Sequence, residues 1–167
     1  MPPGVSSFRH MALKSAPLRQ QHESLRKCMA EVKKNLNPFL VAQHATEVRQ
    51  GLTQLFGELG RHLQTEAKTL YPELEAVDNA SIKATAARFG LEMKQTLPRL
   101  AEFNKRWPNA NEIRSNATQF LKEADGMLKW LERRFTAENN ELYPLLDKLD
   151  IEAMGTLNNP ELKIARI

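Results

Sequence analysis

Apolar side chains recur at spacings of three and four residues in four long stretches of the chain. This spacing places them on one face of an α-helix, so each stretch predicts an amphipathic helix that buries that face. The predicted helices run from 15 or 17 to about 36, from 39 or 46 to 70, from 82 to 107, and from 112 to 142. The sequence is therefore predicted to fold as an all-α protein.

Prolines mark the places where these helices are expected to stop. Pro38, Pro72 and Pro108 each follow an apolar stretch, and proline has no backbone N–H with which to continue a helix. Pro98 falls inside the third stretch, whose apolar face includes Leu97. We therefore expect the third stretch either to kink near this proline or to consist of two helices.

Polar side chains interrupt three of the apolar faces. His22 lies on the face of the first helix, His62 and Glu66 lie on the second, and Arg134 and Glu138 lie on the fourth. A polar group on a buried face needs a partner, because burying it unpaired is costly. These residues are the candidates for a functional site.

Segment 61–74 returns in altered form 72 residues later as segment 133–146. Both copies contain Leu-Tyr-Pro, and both hold a glutamate at the same offset from it. The histidine of the first copy, His62, is replaced by Arg134 in the second. The chain is therefore predicted to contain an internal repeat of two similar helical hairpins.

A shift of 71 aligns the first helix with the third and places His22 opposite Met93. Four long helices with short connections favour an antiparallel up-down-up-down four-helix bundle. In such a bundle the polar residues of the different helices are expected to meet at one end. Tyr71 and Tyr143, which belong to the repeated motif, are expected to close the ends of the bundle.

The predicted domain organisation has three parts. The bundle covers residues 17–149, with one hairpin at 17–74 and the other at 79–149. Residues 1–16 are expected to form an N-terminal arm, and residues 150–167 are expected to form a short C-terminal helix or tail.

Composition limits the class of protein. The 167 residues, of which 41% are hydrophobic, suit one domain. No stretch approaches the roughly 18 to 20 apolar residues that cross a membrane, so a cytoplasmic protein is expected. Cys28 is the one cysteine of the chain, which excludes an internal disulfide. The net charge of +4 is spread along the chain, so nucleic-acid binding is not expected.

A histidine and a glutamate four residues apart share one helical face and can bind one metal ion together. His62 and Glu66 have this spacing, and His22 is expected at the same level on the neighbouring helix. The three residues are therefore candidate metal ligands.

These motifs resemble the hemerythrin and HHE cation-binding family over about residues 17–149. The resemblance rests on His22 followed by Leu25-Arg26, and on the His-x-x-x-Glu motif at 62–66 that leads into Leu70-Tyr71-Pro72. The resemblance implies a hemerythrin-like fold of two helical hairpins. Members of this family hold two bridged non-haem irons between the hairpins. It also implies a histidine ligand from each of helices one and three, and a His-x-x-x-Glu or related pair from each of helices two and four.

The second hairpin departs from this family pattern. It offers Met93, Arg134 and Glu138 where the resemblance implies ligands, and only Glu138 keeps the chemistry of a ligand. A thioether is a poor ligand for a hard iron site, and a guanidinium stays protonated and cannot ligate. The second iron position is therefore expected to be lost, and an intact diiron centre is not expected.

Two alternatives follow for the polar core. In the first, the core is metal-free and Arg134 neutralises Glu66 and Glu138 with its fixed charge and five donors. In the second, one non-haem iron or other divalent ion is bound by His22, His62, Glu66 and Glu138. A metal ion and the arginine would compete for the same carboxylates.

The sequence contains no nucleophile and base pair, phosphate-binding loop or cofactor motif that would predict catalysis. We therefore predict a non-enzymatic regulatory or protein-interaction module with a degenerate metal site and an unknown protein partner. The alternative is a metal-binding sensor or carrier that holds a single non-haem iron or other divalent ion.

Overall fold

The computed structural model describes the backbone of residues 14–157 and the side chains of residues 14–153. Its elements are α1 (Ala16–Lys34), α2 (Ala45–Thr65), a first π-helical turn (Glu66–Leu70), α3 (Tyr71–Ala76), α4 (Ala80–Arg106), α5 (Ala110–Ser115), α6 (Ala117–Ala137), a second π-helical turn (Glu138–Leu142) and α7 (Tyr143–Leu157). These elements contain no strand, so the all-α prediction is confirmed for the described part of the chain. Most of the predicted N-terminal arm, and residues 158–167 of the predicted tail, lie outside the described residues.

Helices α1 and α2 pack side by side in antiparallel orientation. The Ser24 hydroxyl in the middle of α1 donates to Glu58 at 3.0 Å. Near the C-terminal end of α1, Val32 lies against Gly51, where a Cβ atom would be only 2.9 Å from the valine side chain. The close approach that this glycine permits aligns the two helices, and it places residues 22 and 62 at the same level.

Two hydrophobic clusters fill the interior on either side of that level. Leu25 and Leu59 belong to the larger cluster, whereas Leu18 and Leu70 belong to the smaller one. Each of these leucines is buried, and they stand about one helical turn above or below the predicted polar residues. The polar residues are therefore enclosed by apolar side chains, which strengthens every electrostatic interaction among them.

The start of α1 is held by the last helix. The backbone N–H and the hydroxyl of Ser15 donate to the Asp147 carboxylate at 3.1 Å and 2.8 Å. Pro17 lies in the first turn of α1, where its missing N–H leaves no bond unmade. A negative charge at this end also suits the helix dipole. This contact sets the height of α1 relative to α7.

The prediction that Pro72 ends the second helix is wrong. The backbone N–H of Tyr71 donates to the Glu66 carbonyl, five residues back, and so closes the first π-helical turn. Pro72 then lies in the first turn of α3, which runs on to Ala76. Proline has no backbone N–H, but it is tolerated in the first turn of a helix. The π-helical turn lets a new helical segment begin at Tyr71, so the missing N–H of Pro72 does not end the helix.

The same arrangement occurs 72 positions later, from Glu138 to Leu142, before the helix continues as α7. The backbone N–H of Tyr143 donates to the Glu138 carbonyl. The predicted end of the fourth helix at Leu142 is therefore wrong, since α7 continues to Leu157 and crosses the predicted domain boundary at 149. In both halves the π-helical turn begins at a glutamate of the predicted site, and such turns are frequent at functional positions.

Helix α4 is continuous from Ala80 to Arg106, with Pro98 inside it, so the two-helix alternative is wrong. The Thr96 hydroxyl donates to the Glu92 carbonyl at 3.0 Å in the turn before the proline. Thr96 is buried there, and Leu97 is 55% exposed. The predicted place of Leu97 in the core is therefore wrong, because adjacent helical residues point about 100° apart.

The predicted fourth helix is interrupted near its start. Helix α5 begins after Asn109, whose side chain accepts from the backbone N–H groups of residues 111 and 112. Asn116 then leaves the helical conformation, with φ −134° and ψ 41°, before α6 begins at Ala117. The amphipathic pattern continues across this break and so conceals it.

None of the helices in residues 14–157 combines the length and the apolar content needed to cross a membrane.

Candidate metal centre

Five polar side chains, from α1, α2, α6 and the two π-helical turns, meet between the two hydrophobic clusters. His22 comes from α1, His62 comes from the last turn of α2, and Arg134 comes from the last turn of α6. Glu66 and Glu138 are the first residues of the two π-helical turns. Each of the five is at most 5% exposed. The structure thus brings together the polar residues that the apolar periodicity had singled out.

The two histidines present the same ring nitrogen to each other. Nε2 of His22 lies 3.1 Å from Nε2 of His62. On the far sides of the rings, Nδ1 of His22 lies 2.9 Å from Oδ1 of Asn139, and Nδ1 of His62 lies 2.8 Å from Oε1 of Gln21. An amide oxygen only accepts, so each Nδ1 carries the proton and donates it. Both Nε2 atoms therefore face the centre as bare lone pairs.

Further electron-rich atoms face the same point. Nε2 of His22 lies 3.1 Å from Oε2 of Glu138 and 3.1 Å from the Tyr143 hydroxyl oxygen. That hydroxyl donates its proton to Oε1 of Glu66 at 2.9 Å, so it has no proton left for the histidine. Lone pairs at these separations repel one another unless a proton or a metal cation lies between them.

Burial controls the charge of the centre. It lowers the pKa of His22 to about 4 and that of His62 to about 3, so both imidazoles are neutral at pH 7. Burial, followed by repulsion from Glu138, raises the pKa of Glu66 to about 8. Burial also raises the pKa of Glu138, to about 7, against the opposing charge of Arg134. Without a metal ion, the carboxyl groups therefore keep protons close to neutral pH, even beside Arg134.

The geometry fits a metal ion. The ligand atoms of His22, His62 and Glu138 all lie within 4.8 Å of one another. Ligand atoms about 2.1 Å from one ion are separated by about 3.0 to 3.4 Å, which matches the 3.1 Å separations found here. Two imidazole nitrogens and a carboxylate oxygen suit iron, zinc and similar divalent ions. In addition, both oxygens of Glu138 and Oε2 of Glu66 lack hydrogen-bond partners among the described residues.

Glu66 stands slightly apart from this group of three. Its Oε1 lies 3.6 Å from Nε2 of His62 and accepts the proton of Tyr143. The sequence singled out Glu66 as the nearer carboxylate, because it shares a helical face with His62. The structure adds Glu138, from the other half of the chain, whose Oε2 lies 3.1 Å from Nε2 of His22 and which forms the compact group with both histidines.

Arg134 lies beside both carboxylates. Its Nη2 is 2.5 Å from Oε1 of Glu138 and 3.8 Å from Oε2 of Glu66. Its Nη1 is 3.8 Å from Oε2 of Glu92, a half-exposed carboxylate that the sequence reading missed. None of these contacts has hydrogen-bond geometry, and neither terminal nitrogen has a hydrogen-bond partner among the described residues. The guanidinium thus supplies a positive charge next to the centre without forming hydrogen bonds to its carboxylates.

Met93, the remaining predicted site residue, is half-buried and packs against both hydrophobic clusters. The prediction that this position has lost its ligand function stays a prediction.

Besides Glu92, the sequence left unassigned the role of three residues that shape the centre: Gln21, Asn139 and Tyr143. Tyr143 was expected only to close one end of the bundle, yet its hydroxyl reaches the centre. A signal existed for each residue, since Gln21 and Asn139 are chain neighbours of His22 and Glu138, and Tyr143 belongs to the repeated motif. Their contacts, however, cross between helices, so spacing along one helix could not reveal them.

The comparison with protein-family models agrees with this geometry. Residues 14–146, which make up most of the chain, match the family model for the hemerythrin HHE cation binding domain. A search of curated proteins found no match, and a search of solved structures found none either. The matched segment contains all the residues of the centre, from Gln21 to Tyr143. The chain therefore belongs to the hemerythrin HHE cation-binding domain family.

Proposed function

We propose that this protein binds one divalent metal ion through His22, His62 and Glu138, with Glu66 as a further ligand, and that it acts as a metal-binding sensor or carrier. One observation carries this proposal: two neutral imidazoles turn bare Nε2 atoms toward each other at 3.1 Å, with a carboxylate oxygen equally close to one of them. Membership of a cation-binding domain family supports the same conclusion.

The proposed stoichiometry is one ion, because Arg134 takes the place of a second. Its guanidinium lies beside Glu66 and Glu138, and it cannot ligate because it stays protonated. Its positive charge would also repel a second cation at this distance. The arrangement is a half-site in which an ion and an arginine share the two carboxylates.

The residues of the chain prepare the centre for an ion. Asn139 and Gln21 hold each histidine in the tautomer that ligates through Nε2. Tyr143 fixes the orientation of Glu66 by its hydrogen bond. A bound transition metal would supply a Lewis-acidic, and for iron a redox-active, centre.

We further propose a non-enzymatic, cytoplasmic protein whose two hairpins form an up-down-up-down bundle.

Metal analysis tests the proposed function. Protein purified without chelators, or reconstituted with iron(II) or zinc(II) and desalted, is expected to retain about one ion per chain. His22→Ala and His62→Ala should each abolish this retention, because each removes a ligand from a centre of few ligands. His44→Ala is the matched control, since His44 lies in the turn before α2, away from the centre. Equal metal content in all four proteins would refute the proposal.

The amides that hold the histidines should also matter for affinity. We expect Gln21→Leu and Asn139→Leu each to weaken zinc(II) binding by about 10- to 100-fold, because the imidazole loses the acceptor that fixes its tautomer. A competition titration with a chromophoric chelator would measure this change.

The chain provides a control next to each of these residues. Gln20 and Asn140 are exposed neighbours, and Gln20→Leu and Asn140→Leu should leave zinc affinity unchanged. If each control weakened binding as much as the change at its partly buried neighbour, a general loss of structure would explain the result and the positioning role would be excluded.

A second candidate function is a metal-free regulatory or protein-interaction module. The 2.5 Å contact between Arg134 and Glu138 favours it, because an ion pair can neutralise this carboxylate without a metal. In that case the protein would bind its partner through surfaces outside the centre. Absence of bound metal after reconstitution, together with unchanged stability on adding zinc(II), would select this function over the first.

A further inference from the structure

An apolar groove runs between α2 and α4 on the outside of the bundle. Its cavity volume is about 850 Å³, and its floor and walls include Leu63, Met93 and Leu97. A neighbouring groove of about 500 Å³ shares Met93 with it and includes Leu91. Leu97 and Leu91 are 55% and 61% exposed, so the apolar surface is open to solvent. Single exposed leucines are ordinary, but a concave apolar surface between helices is typical of a ligand site.

Two glycines of α2 create the space. Gly57 and Gly60 line the groove, and a Cβ atom built at either would meet nothing within 4 Å. At the equivalent positions of α6, 72 residues later, the chain carries Lys129 and Glu132. Glycine in a helix costs up to about 1 kcal/mol relative to alanine, so the two glycines lower helix stability while they open the groove.

The groove has a positive rim. Arg61 stands on the α2 wall and Lys94 stands on the α4 wall. Both side chains are exposed, and neither forms a salt bridge with another residue of the described part of the chain. An apolar floor between two cations complements a molecule with an apolar body and one negative charge.

We propose that the groove between α2 and α4 binds a small apolar carboxylate, with its hydrocarbon part on Leu63, Met93 and Leu97 and its carboxylate between Arg61 and Lys94. The volume lies within the usual range for small-molecule sites. The site is independent of the proposed metal centre, since it uses none of the proposed ligands. Metal-free protein is therefore expected to bind the carboxylate as well.

Titration calorimetry with decanoate and with 1-decanol tests the proposal, since the two probes share a chain length and differ in charge. We expect decanoate to bind about three- to five-fold more tightly than decanol, the effect of exposed charge pairs. Arg61→Ala and Lys94→Ala should reduce this preference, and Gly60→Leu should weaken binding of both probes at least tenfold by filling the groove. Equal affinity for the two probes would overturn the assignment of a carboxylate.

Gly126→Leu is the matched control, because Gly126 is also an open glycine on a helix but lines a different groove, between α4 and α6. It should leave decanoate affinity unchanged, and an effect equal to that of Gly60→Leu would overturn the site. Leu97→Asp serves if Gly60→Leu fails to fold, and it should weaken decanoate binding at least tenfold. A dimer in sedimentation analysis that Leu97→Asp dissociates would instead show that a second copy of the chain covers the groove.

Discussion

Arg134→Met is expected to lower the free energy of unfolding of the metal-free protein by about 3 to 5 kcal/mol, the usual result of removing one partner from a buried charge network. Arg134 is the cation that lies beside Glu66 and Glu138, and both glutamates are fully buried. Methionine fills much of the same volume, so the loss would reflect charge more than packing. Chemical denaturation at pH 7, monitored by circular dichroism, would measure it.

Arg133→Met is the matched control for this experiment. Arg133 is the exposed neighbour of Arg134, so its replacement should change stability by less than about 0.5 kcal/mol. Zinc(II) should recover much of the stability of Arg134→Met, because the ion neutralises the same two carboxylates. A loss below about 1 kcal/mol without metal would contradict the view that Arg134 replaces a second ion.

Arg134→His combined with Met93→His is expected to raise the metal content from about one to about two ions per chain. The double variant restores the imidazoles that the family resemblance implies for the second hairpin, and it removes the charge that repels a second cation. Position 134 already lies beside the two carboxylates, and position 93 is half-buried on the α4 side of the bundle. Metal analysis after reconstitution with iron(II) would count the ions, and absorbance in the near ultraviolet would report their environment.

The same double variant built on His62→Ala separates the two positions. It should retain less than two ions, because the first position is broken while the second is restored. Arg133→His is the surface control and should leave the content at one. If the double variant also stays at one ion per chain, packing closes the second position, and the view that Met93 and Arg134 are what exclude a second ion is wrong.

Much of the fold could be predicted from the sequence, because apolar spacing determines which face of each helix is buried. His22, His62 and Glu138 interrupt such faces, and all three are buried where the spacing placed them. The comparison of residues 61–74 with 133–146 identified Arg134 and Glu138 as the matching positions in the second half of the chain. The motif at 62–66 indicated the hemerythrin HHE family, which the family model confirms.

The helix boundaries at the prolines could not be predicted in the same way. Pro72 is predicted to end the second helix, since proline removes a backbone donor, and the fourth helix is predicted to end at Leu142, two residues before Pro144. The structure instead widens the preceding turn, so that Tyr71 and Tyr143 donate five residues back and each proline begins a new segment. Proline ends a helix only when the backbone before it cannot form a different hydrogen bond. Here the packing of the helical segments that follow the prolines favours the five-residue hydrogen bond.

The sequence by itself determined that this is a helical protein of the hemerythrin type, with histidines and glutamates on buried faces and an arginine where a second histidine belongs. Spacing along a chain sets the face and the level of each of these residues, and nothing more. Only the tertiary structure decided that Glu138, from the other half of the chain, lies 3.1 Å from His22, and that Gln21 and Asn139 turn both Nε2 atoms inward. Those distances depend on how whole helices rotate and approach as their side chains pack, which periodicity within a single helix cannot specify.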